Sequence, residues 1–300
     1  MRSSNRHRVC ALVAVVFALV SSAGLAAAQS GTGTDKGLIW RVERAGKTGW
    51  LVGSIHMLTP DFYPLPDSMQ NAFRKSVTLV EEADLDEMSS PAFMQLVMSK
   101  AMYPEGQTLE TQLTKETYRL VSERLAKAGL PIEAFQRMKP WTIALTLVAM
   151  ELKRGGFDPA LGLDKHFHDQ SKDAGKQFRA LETPAEQIEY LEKLSPDLQD
   201  ALLRESVDET DSELSQVKAI ASAWRAGDAG TIEQIMLRPM KEEPGVYRSL
   251  LVDRNVRWMP KLEACFATDS CFVVVGAAHA IGPDGLVTML KQKGYTIQQQ

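Results

Sequence analysis

Cysteine is scarce. The 300-residue chain has three, and one of them, Cys10, falls within the first ten residues. With only Cys265 and Cys271 left beyond it, a cysteine-built zinc site cannot be completed. Two readings remain, a disulfide in an oxidising compartment or a pair of free buried thiols. If paired, the two cysteines tie the end of a helix to the start of a strand across Phe-Ala-Thr-Asp-Ser. The chain-entropy model values so short a closure at roughly 2 kcal/mol. Positive charge is also in short supply, the formal net charge being −4. That balance argues against nucleic acid or anionic lipid as a partner, since both want a basic surface. Long apolar runs are missing too. The run at 9–20 is shorter than the ~20 residues a membrane helix needs, and no later segment approaches that length.

That short run has its own meaning. Arg2, Arg6, His7 and Arg8 precede it and Ala26-Ala27-Ala28 follow, the pattern of a secretory signal over residues 1–28, cleaved before Gln29. Cleavage removes three arginines and no acid, taking the net charge from −4 to −7. A polar Gly/Ser/Thr linker at 29–36 then leads into a domain at 37–300. The expected location is periplasmic or secreted, with no membrane span after cleavage.

The domain is organised around Cys271-Phe-Val-Val-Val-Gly276-Ala-Ala-His279. Residues 272–275 are β-branched or aromatic and apolar throughout, which predicts a strand buried on both faces. Gly276 ends it in a shaped turn, open to φ > 0 or to a close backbone approach. His279 is thereby placed outside the carboxyl end of a strand, where open α/β sheets hold ligands. The device recurs at Gly53-Ser-Ile-His56, which closes a strand at 49–54. With 20 glycines and 5 histidines, about 0.3 Gly-x-x-His matches are expected by chance on near-average glycine usage. Two matches, each at the end of an expected strand, point to two histidines brought to one site.

Other strands are expected at 38–43, joined to 49–54 by a turn at Ala45-Gly46-Lys47, and at 77–80, 177–181 and 295–297. Helices are expected at 68–74, capped by Asp67, at 141–152, stopped by Gly155-Gly156, and at 162–175, capped by Asp164. Thr183-Pro-Ala-Glu186 is a capping box that starts another. A long helix at 247–264, bent near Pro260, feeds the 272–275 strand, and a last helix follows Pro283 and stops at Gly294. The fold class is mixed α/β: one mixed sheet made from N- and C-terminal strands, with a largely helical insertion at about 90–247.

Glu81 and Glu82 end the 77–80 strand. Successive strand side chains face opposite sides, so one of the two enters the site. Two histidines and a carboxylate form a metal set with open positions, suited to a divalent ion such as Zn²⁺, Mn²⁺ or Co²⁺, whose bound water can attack a carbonyl or phosphoryl centre. The same residues also suit metal-free acid–base chemistry, with one histidine as base and the glutamate orienting it. Arg254 and Asn255, on the helix leading into the last buried strand, are candidate substrate or oxyanion contacts; a surface salt bridge from Arg254 to Asp253 or Glu263 is the plain alternative. His166 and His168 point about 200° apart on their helix and cannot share a metal with each other.

At these residues the chain resembles the TraB/GumN family, which includes the Tiki-type metalloproteases and is related to the erythromycin esterase and ChaN-like proteins. The resemblance rests on Gly53-Ser-Ile-His56 with Tyr63-Pro-Leu-Pro66, Leu79-Val-Glu-Glu82-Ala-Asp84, Lys139-Pro-Trp141, Gly162-Leu-Asp164, Leu181-Glu-Thr183, Arg254-Asn255 with Trp258, and Val275-Gly-Ala-Ala-His279. It implies that Glu82, rather than Glu81, joins His56 and His279. It further implies a divalent-metal hydrolase, a peptidase in the Tiki branch, with the two histidines as ligands and Glu82 as ligand or base. The rival class is a non-catalytic periplasmic accessory protein that binds metal or haem or serves polysaccharide biosynthesis.

Overall fold

The hairpin that opens the domain is set by two residues. Ala45 and Gly46 both take positive φ, 50° and 76°, giving the mirror-image turn whose twist matches that of the strands it joins. Lys47 already belongs to the second strand, so β1 (Ile39–Arg44) and β2 (Lys47–Ser54) pair antiparallel from Arg44↔Lys47 onward. The computed structural model describes residues 35–207, 212–268 and 270–300. The expected leader, and the linker up to residue 34, lie outside the described residues.

Four more strands complete the sheet: β3 (Thr78–Glu81), β4 (Gln177–Ala180), β5 (Cys271–Gly276) and β6 (Thr296–Gln299). Their order is β4-β3-β5-β2-β1-β6. β4, β3, β5 and β2 run parallel, and β1 and β6 add an antiparallel edge. The mixed sheet expected from the chain ends is thus present, and β5 is buried along its whole length. The residues between β3 and β5 are mainly helical, with β4 set among them.

Helices cover both faces. Register places Leu79, Phe272 and Trp50 side by side, and on that face Phe272 meets Phe73 and Phe167 at ring-centroid distances of 5.4 and 4.7 Å. Phe73 belongs to the Asp67–Lys75 helix and Phe167 to the Leu163–Asp173 helix. Alternation turns Gly49 and Cys271 the other way. There the Asp253–Thr268 helix lies close enough that a Cβ on Gly49 would meet the Phe266 ring at 2.6 Å. Cys265 of that helix is disulfide-bonded to Cys271 at the start of β5, as the pairing alternative required.

Some local expectations are corrected. Asp67 is the first residue of its helix and Pro66 its cap, because Pro66 already holds the extended backbone a cap needs. The Thr183/Glu186 capping box forms as expected. Pro260 lies inside the Asp253–Thr268 helix, which continues through it. The irregular turn is earlier, a π-helical stretch at Arg248–Val252. His279 sits on a single helical turn, Ala277–Ala280, directly after β5. Gly276 has φ −50°, so left-handed backbone is not what this glycine supplies.

Candidate functional site

Four parallel strands deliver the site at one edge of the sheet. His56 follows β2, Glu82 follows β3, Glu182 follows β4 and His279 follows β5. β2 and β5 are direct neighbours with Gly53↔Val275 and Ser54↔Gly276 in register. That pairing carries the two Gly-x-x-His segments to the same edge, the carboxyl ends of the strands.

Glu81 and Glu82 separate as strand alternation requires, yet neither is a solvated rim residue, since both are buried. The Glu81 carboxylate takes His168 Nδ1 at 2.8 Å on the face of the Leu163–Asp173 helix. Glu82 turns toward the Asp253–Thr268 helix. Its Oε1 accepts the Gly276 N–H at 2.7 Å, and its Oε2 accepts Arg254 Nη2 at 2.6 Å.

Arg254 is the hub. Its five N–H groups are all engaged: Nε and one Nη2 proton on Glu182, the other Nη2 proton on Glu82, and Nη1 on the Leu250 carbonyl and, at 3.0 Å, on His279 Nε2. Glu182 accepts in addition from Trp258 Nε1 and the Tyr190 hydroxyl. Only 3% of the Arg254 side chain is exposed. In this arrangement no Arg254 donor is left for a substrate, and the plain surface salt bridge does not form either. Asn255, also expected to touch substrate, is fully buried and holds His279. Its Oδ1 lies 2.7 Å from His279 Nδ1, and its Nδ2 donates to the carbonyls of His279 and Asp284.

The charge states follow from these contacts. Burial disfavours a charged His279, and the neighbouring Arg254 adds to the effect, so its pKa falls to about 3 and the ring is neutral, accepting from Arg254 at Nε2. Burial works against an ionised Glu82 as well, but Arg254, the histidines and the Gly276 N–H outweigh it and hold the carboxyl at about 2.

His56 has a different environment. Its Nδ1 lies 2.7 Å from Asp164 Oδ2, which also accepts the Ser54 hydroxyl at 2.7 Å. Burial opposes its charge, but the Asp164 carboxylate prevails and raises the pKa to about 9. The ring is 15% exposed, and Nε2 has no hydrogen-bond partner among the described residues. Asp164 had read as a helix cap. It is instead the second residue of its helix, and Gly162 is the cap. The docking behind this depends on glycine, because a Cβ at Gly162 would lie 2.2 Å from the His56 carbonyl oxygen, while Leu163 N–H donates to the Ile55 carbonyl. Gly162→Ala is expected to cost about 1–3 kcal/mol by overpacking and to part His56 from Asp164. Urea unfolding together with a drop in the His56 imidazole pKa by NMR checks this; an unchanged pKa would show that the contact is set elsewhere.

Of the expected ligand set, Glu82 and His279 both contact Arg254, and His56 pairs with Asp164. His56, Glu82 and His279 are coupled electrostatically, and the Arg254 guanidinium lies between Glu82 and His279, hydrogen-bonded to both. Among the described residues, the group whose ligand atoms all lie within 4.8 Å of one another, and which could hold a metal ion, is Asp84, Asp86 and His168. Glu182 and Asp164 are the site members that sequence reasoning missed. For Glu182 a signal existed: like Glu82, it is an acid just past an expected strand.

Residues 38–299 match the TraB/PrgY/gumN family. Two relatives bear the printed name "Uncharacterized protein YbaP", one from Escherichia coli (strain K12) and one from Shigella flexneri. Each is 27% identical over 241 residues, covering 80% of this chain and 87% of the relative. No solved structure gives a significant match. Since the family match spans nearly all of the domain and includes both Gly-x-x-His segments, Glu82 and Arg254, the chain belongs to the TraB/PrgY/gumN family.

Proposed function

We propose that this chain is an exported hydrolase whose acid–base residue is His56, with the peptide bond as the first substrate to test. The observation that carries the reading is the His56–Asp164 pair: one ring nitrogen is fixed by a carboxylate, and the other has no hydrogen-bond partner among the described residues. An imidazolium held this way can give its Nε2 proton to a leaving group and recover one from the attacking water. Arg254, Glu82, Glu182, His279 and Asn255 form the buried frame that sets the field around it. A metal at Glu82 and His279 would first have to displace the guanidinium, so no step is routed through one there. The Cys265–Cys271 bond is compatible with an oxidising compartment and supports a periplasmic or secreted location.

Turnover of fluorogenic peptide, ester and phosphoester libraries at neutral pH tests the reading. His56→Ala is expected to lower the rate 10²- to 10⁴-fold, with Asp164→Asn falling in the same direction. Equal turnover in wild type and His56→Ala would remove His56 from the chemistry. A rival reading, a non-catalytic binding or accessory protein, is favoured by the internal satisfaction of every Arg254 donor and both His279 nitrogens. Binding without turnover of any library member would select it.

A further inference from the structure

The Leu163–Asp173 helix carries a second histidine with unfinished contacts. His168 is 4% exposed. Its Nδ1 is held by the Glu81 carboxylate at 2.8 Å, and its Nε2 is buried without a hydrogen-bond partner. That nitrogen points at Asp86, whose Oδ1 lies 3.5 Å away, and Asp84 contributes a further carboxylate oxygen within 4.8 Å of both. Either a proton on Nε2 or a metal ion between Nε2 and the carboxylate oxygens would complete these contacts.

We propose that His168, Asp86 and Asp84 form a divalent-cation site of the zinc class, with Glu81 as the residue that orients the histidine. A carboxylate on the far nitrogen of a ligating histidine is the usual means of fixing its tautomer and ring plane. Metal bonds of roughly 2.0–2.1 Å at tetrahedral angles separate ligand atoms by about 3.4 Å, close to the 3.5 Å between His168 Nε2 and Asp86 Oδ1. One imidazole and two carboxylates leave a position for water and suit Zn²⁺, Co²⁺ or Mn²⁺. Asp84 is already oriented, its Oδ1 capping the Leu85–Met88 turn through the N–H groups of Asp86 and Glu87. The group has a resident competitor, the Lys172 ammonium, 2.9 and 2.8 Å from the two Asp86 oxygens. Lys172 is 55% exposed, and a pair that open to solvent yields readily to a divalent ion.

The site does not depend on the hydrolytic reading. It would staple the end of β3, which leads into Glu82, to the helix that carries Asp164 one turn before His168. A metal in this protein would therefore act on the His56 pair through position.

The test is titration of the metal-stripped mature chain with Co²⁺, followed by its visible absorption, and of Zn²⁺ followed by the unfolding midpoint. The expected result is about one Co²⁺ per chain in wild type and in His56→Ala, and at least tenfold weaker binding in His168→Gln and Asp86→Asn. Lys172→Gln should bind a few-fold more tightly. Zn²⁺ should raise the unfolding midpoint of wild type but not of Asp86→Asn, a variant at an exposed carboxylate that leaves the core intact. Retention of Co²⁺ by Asp86→Asn, its loss in His56→Ala, or no binding at millimolar Co²⁺ would overturn the proposal. In the last case a proton, rather than a metal, joins His168 to Asp86.

Discussion

Arg254→Met should lower the unfolding free energy by about 3–5 kcal/mol, the cost of leaving a buried ionised partner without its counter-charge. The guanidinium is shared by Glu82 and Glu182, and both carboxylates are buried. Without it Glu82 loses the main influence holding its pKa at about 2, so it will take up a proton to escape the uncompensated charge. The destabilisation should therefore be smaller at pH 5 than at pH 8. Arg254→Lys should recover only part of the loss, since an ammonium cannot fork between two carboxylates, a carbonyl and an imidazole. Urea unfolding at the two pH values measures the effect, with the exposed neighbour Arg257→Met as a baseline expected within about 0.5 kcal/mol of wild type. A variant at Arg254 that unfolds within 1 kcal/mol of wild type would mean that the two glutamates find other partners.

The second large effect is on pH. The two site histidines should pull stability in opposite directions with pH, because they are shifted in opposite senses from a common unfolded value. His56 is raised to about 9. Its contribution is complete below 6.5 and is lost as the pH rises through 9. His279 is lowered to about 3. Its contribution is complete above 6.5 and is lost as the pH falls toward 3. By the linkage relation the first is on the order of 3 kcal/mol and the second on the order of 5 kcal/mol. Glu82, depressed to about 2, steepens the acid limb below about pH 4.5. Unfolding free energies of the metal-free protein at pH 5, 6.5 and 8.5 trace the profile, to which Glu81, raised by burial to about 8, adds a loss between about pH 4.5 and 8. His56→Gln should flatten its alkaline side and His279→Gln its acid side. A level curve from pH 6.5 to 9 in the wild type would show that Asp164 does not hold a proton on His56.

Much of this architecture was legible from residue patterns, for reasons that are local. An apolar β-branched run that ends in glycine can be little else than a buried strand, and β5 is one. Period-two alternation was enough to send Glu81 and Glu82 to different partners. The cysteine count and spacing left a short bridge as one of two choices, and that bridge is present. What was not legible depends on contacts between elements. Asp164 stands where helix caps stand, and only the approach of Gly162 to the His56 carbonyl turns it into a partner of that histidine. Helical geometry gives His166 and His168 different partners, Gln170 and Glu81, but periodicity within one helix says nothing of Asp84 and Asp86 beyond β3. Arg254 and Asn255 do lie against Glu82 and His279. Their roles differ from expectation because burial supplied each with a full set of internal partners.

The strand order has a consequence for how such a chain is made. β5 lies between β3 and β2, yet it enters the sequence only at residue 271. A ribosome delivers the hairpin, the glutamates, the His56 turn and the whole helical middle before the central strand emerges. Until then β2 and β3 have no shared neighbour and Glu82 has no Gly276 amide to bind. The site is thus incomplete until residues 271–279 emerge, for a shorter chain lacks both β5 and His279.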